Sequence, residues 1–359
     1  MTTRRPRTTR SPSSSPAQAT RRIAIVGAGL AGITAARTLV QAGHEVTVFE
    51  RAAQVGGRMA SEDTPFGSFD SGAQYFTVRD PRFQQALDAT RAPCKRWSAN
   101  AVRVLDAHGR VAEAALPGRE SHWVATPRMD ALATHWAAPL DTRVRTGCGV
   151  TAIERDPLTE RGWQLRIAEA EGAQSVQPGF DAVLLAVTPG AARVLLRGAA
   201  PALFEALGSV TIAPCWSLNL AYPQANQPAL WSLGPQWNAA LSTHHRVAWL
   251  ARESSKPGRT QVERWTVQAS PAWSQEHLRD DAPRIEAKLQ RAFAEITGIL
   301  ATPSFAQARL WTEAKTLTPL GKTHLWDAAT GLGVAGDWCI GHRVEDAFVS
   351  GLSLALDVA

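Results

Sequence analysis

Residues Ile23 to Ala36 form an uncharged run of fourteen that leads an apolar strand pattern into a helix pattern through Gly27, Gly29 and Gly32. No other stretch restricts the fold as tightly. Gly27 permits a tight turn, Gly29 beside Ala28 lets backbone approach a pyrophosphate, and Gly32 lets the helix lie close on the strand. The first helical N–H groups then face the anion. Gly43 can end the helix, and Glu45 to Glu50 alternates as a second strand finishing in an acid. Glu50 follows Gly32 by eighteen positions, near the roughly 20-residue spacing of the carboxylate that accepts a ribose hydroxyl. A second match, Gly331, Gly333 and Gly336, has only twenty-three residues after it and lacks room for a complete strand-helix-strand unit. The first turn therefore predicts dinucleotide binding.

A chain of 359 residues can bury a large core and divide into two domains. Its net charge of +6 comes from residues 1–22, which hold six arginines and no acid; the other 32 basic and 32 acidic residues cancel. Residues 1–21 therefore read as a disordered basic tail. The balanced body gives no electrostatic case for nucleic acid. The tail has no secretory apolar region. Cys94, Cys148, Cys215 and Cys339 stand far apart without a CxxC pair, which suits reduced thiols in a cytoplasm and neither a disulfide frame nor a metal site. The uncharged stretch Ala206 to His245 is broken by Pro214, Pro223, Pro228 and Pro235, so it predicts strands and turns and no membrane span. Trp216, Trp231 and Trp237 within it are available to a core or a pocket.

Val55 to Met59 and Phe69 to Phe76 carry glycines without helical periodicity and read as loops that follow a ligand. A helix is expected from about Asp80 to Ala89 and another near Pro127 to Ala133. Strand character returns over Val144 to Ile153 and Trp163 to Ile167, and Phe180 to Val187 reads as a buried parallel strand. Residues 210–270 suggest an antiparallel sheet. Ala282 to Ile296 has helical spacing, and Gly331 to Ala335 is a last strand leading through Gly336 and Asp337 into a final helix. No internal repeat is present. The expected organisation is a discontinuous nucleotide domain (22–80, 140–195 and 325–359) interrupted by a sheet-rich substrate domain (81–139 and 196–324).

Together, Gly27 to Gly32, Glu50, Gly56 to Met59 and Gly336 to Asp337 resemble the FAD-containing amine-oxidase-like flavoproteins. Phe69 to Phe76 with Arg79 to Phe83, Ser254 to Arg259, Ala269 to Ser274, and Gly336 to Cys339 narrow the resemblance to the bacterial renalase-like branch. It runs from about Ile23 to the C-terminus. The resemblance implies an α/β fold of the amine-oxidase/p-hydroxybenzoate-hydroxylase-like two-domain type: a Rossmann-like FAD-binding domain and a sheet-rich α+β domain. It implies non-covalent FAD held by Gly27, Ala28, Gly29, Gly32, Glu50, Arg51, Gly57, Arg58, Met59, Gln74, Tyr75, Val150, Asp337 and Val344. Glu50 would take the adenosine ribose, Arg58 the pyrophosphate, Val150 the adenine, and Asp337 the ribityl chain or phosphates. The helix beginning near Arg343 and Val344 would aim its N-terminus at the flavin pyrimidine edge. Each has a plainer alternative: a solvated acid for Glu50, a surface arginine for Arg58, a turn residue for Asp337, a core valine for Val150. Asp346 departs from the small residue frequent in the family and adds an anion at that helix start.

The resemblance further implies oxidation of 2- or 6-dihydro isomers of NAD(P)H to NAD(P)+, with O2 reduced to H2O2. Such a reaction needs orientation more than acid-base groups, so no catalytic side chain is assigned. An aromatic wall is expected from Tyr75, Trp123, Trp249, Trp273 and Trp311, with His245 (and its neighbour His244) available for a carboxamide or phosphate; core packing is the alternative for each. An amine oxidase of the monoamine or polyamine type, with Lys315 beside the flavin, is the second reading, and a flavin-binding protein without turnover the third. The partners expected are a dihydronicotinamide nucleotide and O2, with no nucleic acid or membrane.

Overall fold

The computed structural model describes residues 19–97, 102–113, 120–170, 172–224 and 238–359. Residues 1–18 of the basic tail, Trp231 and Trp237 lie outside them. Arg21, grouped with the tail on sequence, donates its backbone N–H to His44 Nδ1 at 3.3 Å and its guanidinium to the Val358 carbonyl.

The apolar strand Arg22–Val26 lies inside a six-stranded sheet ordered Leu325–Asp327, Leu332–Val334, Ala182–Leu185, Arg22–Val26, Glu45–Phe49 and Val144–Arg145. Every pair is parallel except the hairpin formed by the first two. Ile23 and Ile25 face one apolar layer with Ile33, Leu39 and Phe348; Ala24 and Val26 face another with Phe180, Leu195 and Trp338. Burial on both faces is why this strand reads as an unbroken apolar run. The helix Leu30–Gln41 covers the first face beside the C-terminal helix Val344–Val358. The two helices touch at Gly351, where a Cβ would stand 2.2 Å from the Ala31 carbonyl oxygen.

One expected strand, Val144 to Ile153, is two. Gly147, with φ of 68°, turns the chain after Arg145. Val144–Arg145 stays in the parallel sheet, while Cys148–Arg155 begins an antiparallel meander with Trp163–Glu169 and Gln174–Phe180.

The second large sheet has seven strands: Phe305–Thr318, Thr211–Tyr222, Glu263–Ala269, Val247–Arg252, Ala239–Ser242, Val102–Leu105 and Val111–Glu113. Alternation divides its faces. Trp216, Leu218, Leu220, Trp265 and Val267 pack on Ile285, Leu289 and Phe293 of the helix Ala282–Thr297. Ser217, Asn219, Thr266 and Gln268 form a polar face, where Gln268 donates to the Gly72 carbonyl at 2.7 Å and so meets the loop 70–76. Ala213 pairs with Lys315 and Cys215 with Trp311, so residues 312–314 bulge opposite Pro214. Pro214 has no N–H for the ladder, which accounts for the break.

The segment 81–139 is shared between the two cores. Phe83 and Leu87 of Pro81–Ala89 and Leu132 and Trp136 of Ala131–Ala137 join the nucleotide-side layer, while Val102–Leu105 pairs with Ala239–Ser242 in the seven-stranded sheet. Among the described residues no helix is long and apolar enough to cross a membrane.

Candidate cofactor and substrate site

The parallel strands Arg22–Val26, Glu45–Phe49, Ala182–Leu185 and Leu332–Val334 all release their chains at one edge, into Gly27–Gly29, Glu50, Ala186–Thr188 and Gly336–Asp337. A crevice at the carboxyl ends of such strands is where an α/β sheet takes its ligand. Gly27 has φ of 102°, and a Cβ there would come 2.5 Å from the Ala186 carbonyl oxygen. At Gly32 a Cβ would stand 2.0 Å from the Gly27 oxygen. Gly29 differs: its Cβ would meet nothing within 4 Å. Strand and helix thus close tightly around two glycines while the third faces open space. No side chain caps the helix N-terminus and no acid stands in its first turn, so its N–H groups remain available to an anion.

A second glycine pair backs the first. Gly56 donates to the Ala28 carbonyl at 2.9 Å and forms an isolated bridge with Gly29; Gly57 lies so close that its Cβ would be 3.3 Å from Gly29 Cα. Arg58 follows, pairing with Asp337 and donating to the Ala314 carbonyl at 3.3 Å. The two charged residues assigned to the cofactor from distant parts of the chain therefore meet at one point. Met59 is buried in the core behind them. Glu50 accepts from Ala28 N–H at 2.7 Å and Ala52 N–H at 2.8 Å, so each oxygen carries one backbone bond and keeps further acceptor capacity. Arg51 packs against Gly149, whose added Cβ would lie 3.3 Å from Arg51 Cγ, and the half-buried Val150 follows at a bulge in the same strand. At the other end, Asp346 Oδ2 accepts from Arg343 N–H at 2.9 Å. Its charge therefore serves the start of the helix that Val344 opens.

The aromatic wall is partly the one expected. Tyr75 has its ring centroid 4.3 Å from His122, 5.6 Å from Trp249 and 6.5 Å from Trp97. Trp123 holds Phe76 through paired backbone bonds of 2.8 Å and carries Arg96 5.3 Å from its ring. Trp311 donates to the Ser71 carbonyl at 3.2 Å, beside Gly72. Burial raises the Tyr75 phenol and lowers the His122 imidazole, so both are neutral near pH 7. Burial also pushes Cys215 and Cys339 up to about 12, which leaves no thiolate there at neutral pH.

Two expected wall residues lie elsewhere. Trp273 belongs to the opposite face of the seven-stranded sheet, stacked on His277 at 4.1 Å. His245 is exposed at the hairpin after Ala239–Ser242, and its neighbour His244 bonds to Glu295 of Ala282–Thr297 at 3.3 Å. Alternation along strands sends residues to either face, and sequence spacing alone does not say which face holds the site. Lys315 is exposed on Phe305–Thr318.

Trp97, His122 and Lys256 escaped sequence reasoning. Trp97 and His122 face each other across a two-stranded ribbon too short for a pattern. Lys256 sits in a Ser/Pro/Gly loop that reads as solvated, yet its ammonium is fully buried, bonded to Asp70 at 3.0 Å, Glu253 at 2.8 Å and Gln74 at 3.2 Å. Asp70 also pairs with Arg259 at 2.7 Å. Asp70, flanked by Phe69 and closely followed by Tyr75 and Phe76, is the one signal that a buried cation should face this loop.

A tight glycine turn, an uncapped helix end, open space at Gly29 and an arginine following the glycine pair packed on Gly29 suit a dinucleotide pyrophosphate, and the aromatic cluster at Tyr75 suits a redox ring and its substrate. These features define an FAD-dependent oxidoreductase with a Rossmann-like cofactor domain. Residues 25–90 match the NAD(P)-binding Rossmann-like domain and residues 107–359 match the flavin-containing amine oxidoreductase. The chain belongs to the flavin-containing amine oxidoreductase family. Among solved structures, a protein assigned as a protoporphyrinogen oxidase from Exiguobacterium sp. 255-15 superposes with a TM-score of 0.74 at 12% identity, covering 95% of this chain and 99% of its own. A putrescine oxidase bound to putrescine gives 0.70 at 12% identity, covering 95% and 99%. Both are similar in fold. The 4,4'-diapophytoene desaturase of Staphylococcus haemolyticus is 47% identical over 58 residues, 16% of this chain and 12% of the desaturase. The chain thus aligns with only about an eighth of such curated relatives.

Proposed function

We propose that the protein is an oxidase of the renalase type, converting 2- or 6-dihydro isomers of NAD(P)H to NAD(P)+ with O2 reduced to H2O2. The observation that carries this reading is a neutral aromatic wall whose neighbouring carboxylates are already engaged. Glu120 pairs with Arg79 at 2.5 Å, and Glu345 accepts from the Arg79 and Asp80 N–H groups at 2.5 Å each. Glu120, an acid that acts on the Tyr75 phenol, is held by Arg79, and Arg343 acts on the same phenol in the opposite sense. A flat neutral ring on an anionic nucleotide fits that balance better than a cationic amine.

Gly27–Gly32, Glu50, Arg58 and Asp337 would hold FAD, which when bound would supply the hydride acceptor and the route of the electron pair to O2. The residues of the chain supply orientation. Tyr75 and Trp249 set the plane of the substrate ring by stacking. Neutral His122 can accept or donate at the same ring, and Arg343 can hold a phosphate.

The test is anaerobic mixing of the FAD-loaded protein with 2-, 4- and 6-dihydro isomers of NAD(P), putrescine and a monoamine, following flavin absorbance. Rapid bleaching by the 2- or 6-isomers is expected. Bleaching by amines alone would replace this reading with the amine-oxidase one suggested by the putrescine oxidase fold, and no bleaching at all with FAD bound would favour a flavin protein without turnover.

A further inference from the structure

We propose that Lys256 is a positioning residue that sets the spacing of the aromatic wall. The inference rests on Tyr75 and Trp249 forming the substrate pocket. Lys256 touches no part of that pocket and acts through two side chains that flank it. On one side its ammonium donates to Gln74 Oε1 at 3.2 Å, and Gln74 precedes Tyr75 in the chain. On the other, the ammonium lies 5.7 Å from the centre of the Trp97 ring, while Ser255, the preceding residue, accepts from Trp97 Nε1 at 3.1 Å. Trp97 and Tyr75 then meet with centroids 6.5 Å apart. A single two-residue segment thus grips both rings from behind.

The grip is rigid because Lys256 has no freedom left. Its side chain is fully buried, and its remaining donors go to Asp70 at 3.0 Å and Glu253 at 2.8 Å. Asp70 is fixed in turn by Arg259 at 2.7 Å, by Ser61 Oγ at 2.7 Å and by Met129 N–H at 3.1 Å. Glu253 accepts from Thr266 Oγ1 at 3.0 Å. Lys256 comes from the loop after Val247–Arg252 of the seven-stranded sheet, and Asp70 and Gln74 come from the loop after the hairpin Glu62–Thr64 with Gly67–Phe69. The wall of the pocket is therefore registered against both parts of the molecule through one ammonium group. All three ammonium donors of Lys256 are engaged, which fixes the arrangement around that group, while Glu253 Oε2 and Arg259 Nε are buried without a partner.

The experiment compares FAD-loaded Lys256→Met, Gln74→Leu and Ser255→Ala with the natural protein. Near-UV circular dichroism reads the Tyr75–Trp97–Trp249 cluster without any substrate. Anaerobic bleaching by the 2- and 6-dihydro isomers reads half-saturation apart from limiting rate. Loss of cluster ellipticity is expected in all three variants, with half-saturation raised about tenfold in Lys256→Met, the scale of one charge-assisted hydrogen bond. The limiting rate should change far less. If Lys256→Met fails to fold, Gln74→Leu and Ser255→Ala still decide the matter, since each removes one grip and leaves the ion pairs intact. Natural ellipticity in both would overturn the proposal. Natural half-saturation in both, where the isomers bleach the flavin, would also overturn it. Altered ellipticity in a protein that no dihydro isomer bleaches would uphold the positioning role while refuting the substrate.

Discussion

At the scale of single residues, the three glycines of the first turn have different physical duties. Gly32 admits no side chain because the Gly27 carbonyl oxygen occupies the space, whereas Gly29 has an ordinary extended φ of −71° and open space before it. Gly32→Ala is therefore expected to lose folded protein and cofactor together. Gly29→Ala should keep its far-UV circular dichroism and thermal midpoint as apoprotein yet lower FAD affinity at least about tenfold, because the methyl group would enter the space proposed for the pyrophosphate. Fluorescence titration with FAD checks this, and natural affinity in Gly29→Ala would remove the pyrophosphate from that place. The spacing of Gly27, Gly29, Gly32 and Glu50 made this part of the site legible in the sequence. The pairing of Arg58 with Asp337 was not, because nothing local links residues so far apart.

Among the elements, the parallel strands and their helices could be read because each is a local pattern bounded by glycine or proline. Contacts between elements could not. Helix Ala282–Thr297 showed its apolar stripe clearly, but the stripe does not say that Trp273 shares its core while Trp249 faces the other way. The loop 253–259 gave still less sign of its partner. Burial alone would raise the Asp70 carboxyl, but the charges of Lys256 and Arg259, with hydrogen bonds from Arg259 and Ser61, hold it well below the ordinary range. A depressed folded value stabilises above the unfolded pKa of about 3.9 and loses that contribution as pH falls. Glu253, raised by burial against the pull of Lys256, contributes in the opposite sense, its share declining as pH rises past its ordinary value. Asp70→Asn should cost about 3–5 kcal/mol near pH 7 by leaving two cations without their shared acceptor. Its stability should also fall less steeply than the natural protein's between about pH 5 and 3, measured by urea unfolding across that range. Parallel acid limbs in the two proteins would contradict the assignment.

For the whole molecule, the residues proposed to hold FAD come from distant parts of the chain and meet only in the folded state, so binding and stability would be linked. At free FAD one hundred times its dissociation constant the folded state gains about 2.7 kcal/mol, which for a chain of 359 residues raises the thermal midpoint by roughly 3–4 °C. Calorimetry of apo and loaded protein measures it. An unchanged midpoint at high FAD would mean that the folded chain does not bind the flavin.

Chain order also matters while the protein is being made. Gly29 emerges early, but Asp337 and the helix that begins at Val344 follow about 300 residues later, a delay of roughly 15–60 s at ordinary elongation rates. Until then the strand Arg22–Val26 lacks the layer that Phe348 and Leu354 provide, and the glycine turn has no arginine-aspartate pair across from it. A ribosome-bound chain can therefore form the seven-stranded sheet while its first apolar strand still waits for a cover. Flavin capture by Gly27–Gly32 and Asp337 together would have to wait out that delay, and a shortage of FAD in the cell would be felt by newly made chains before it is felt by loaded ones.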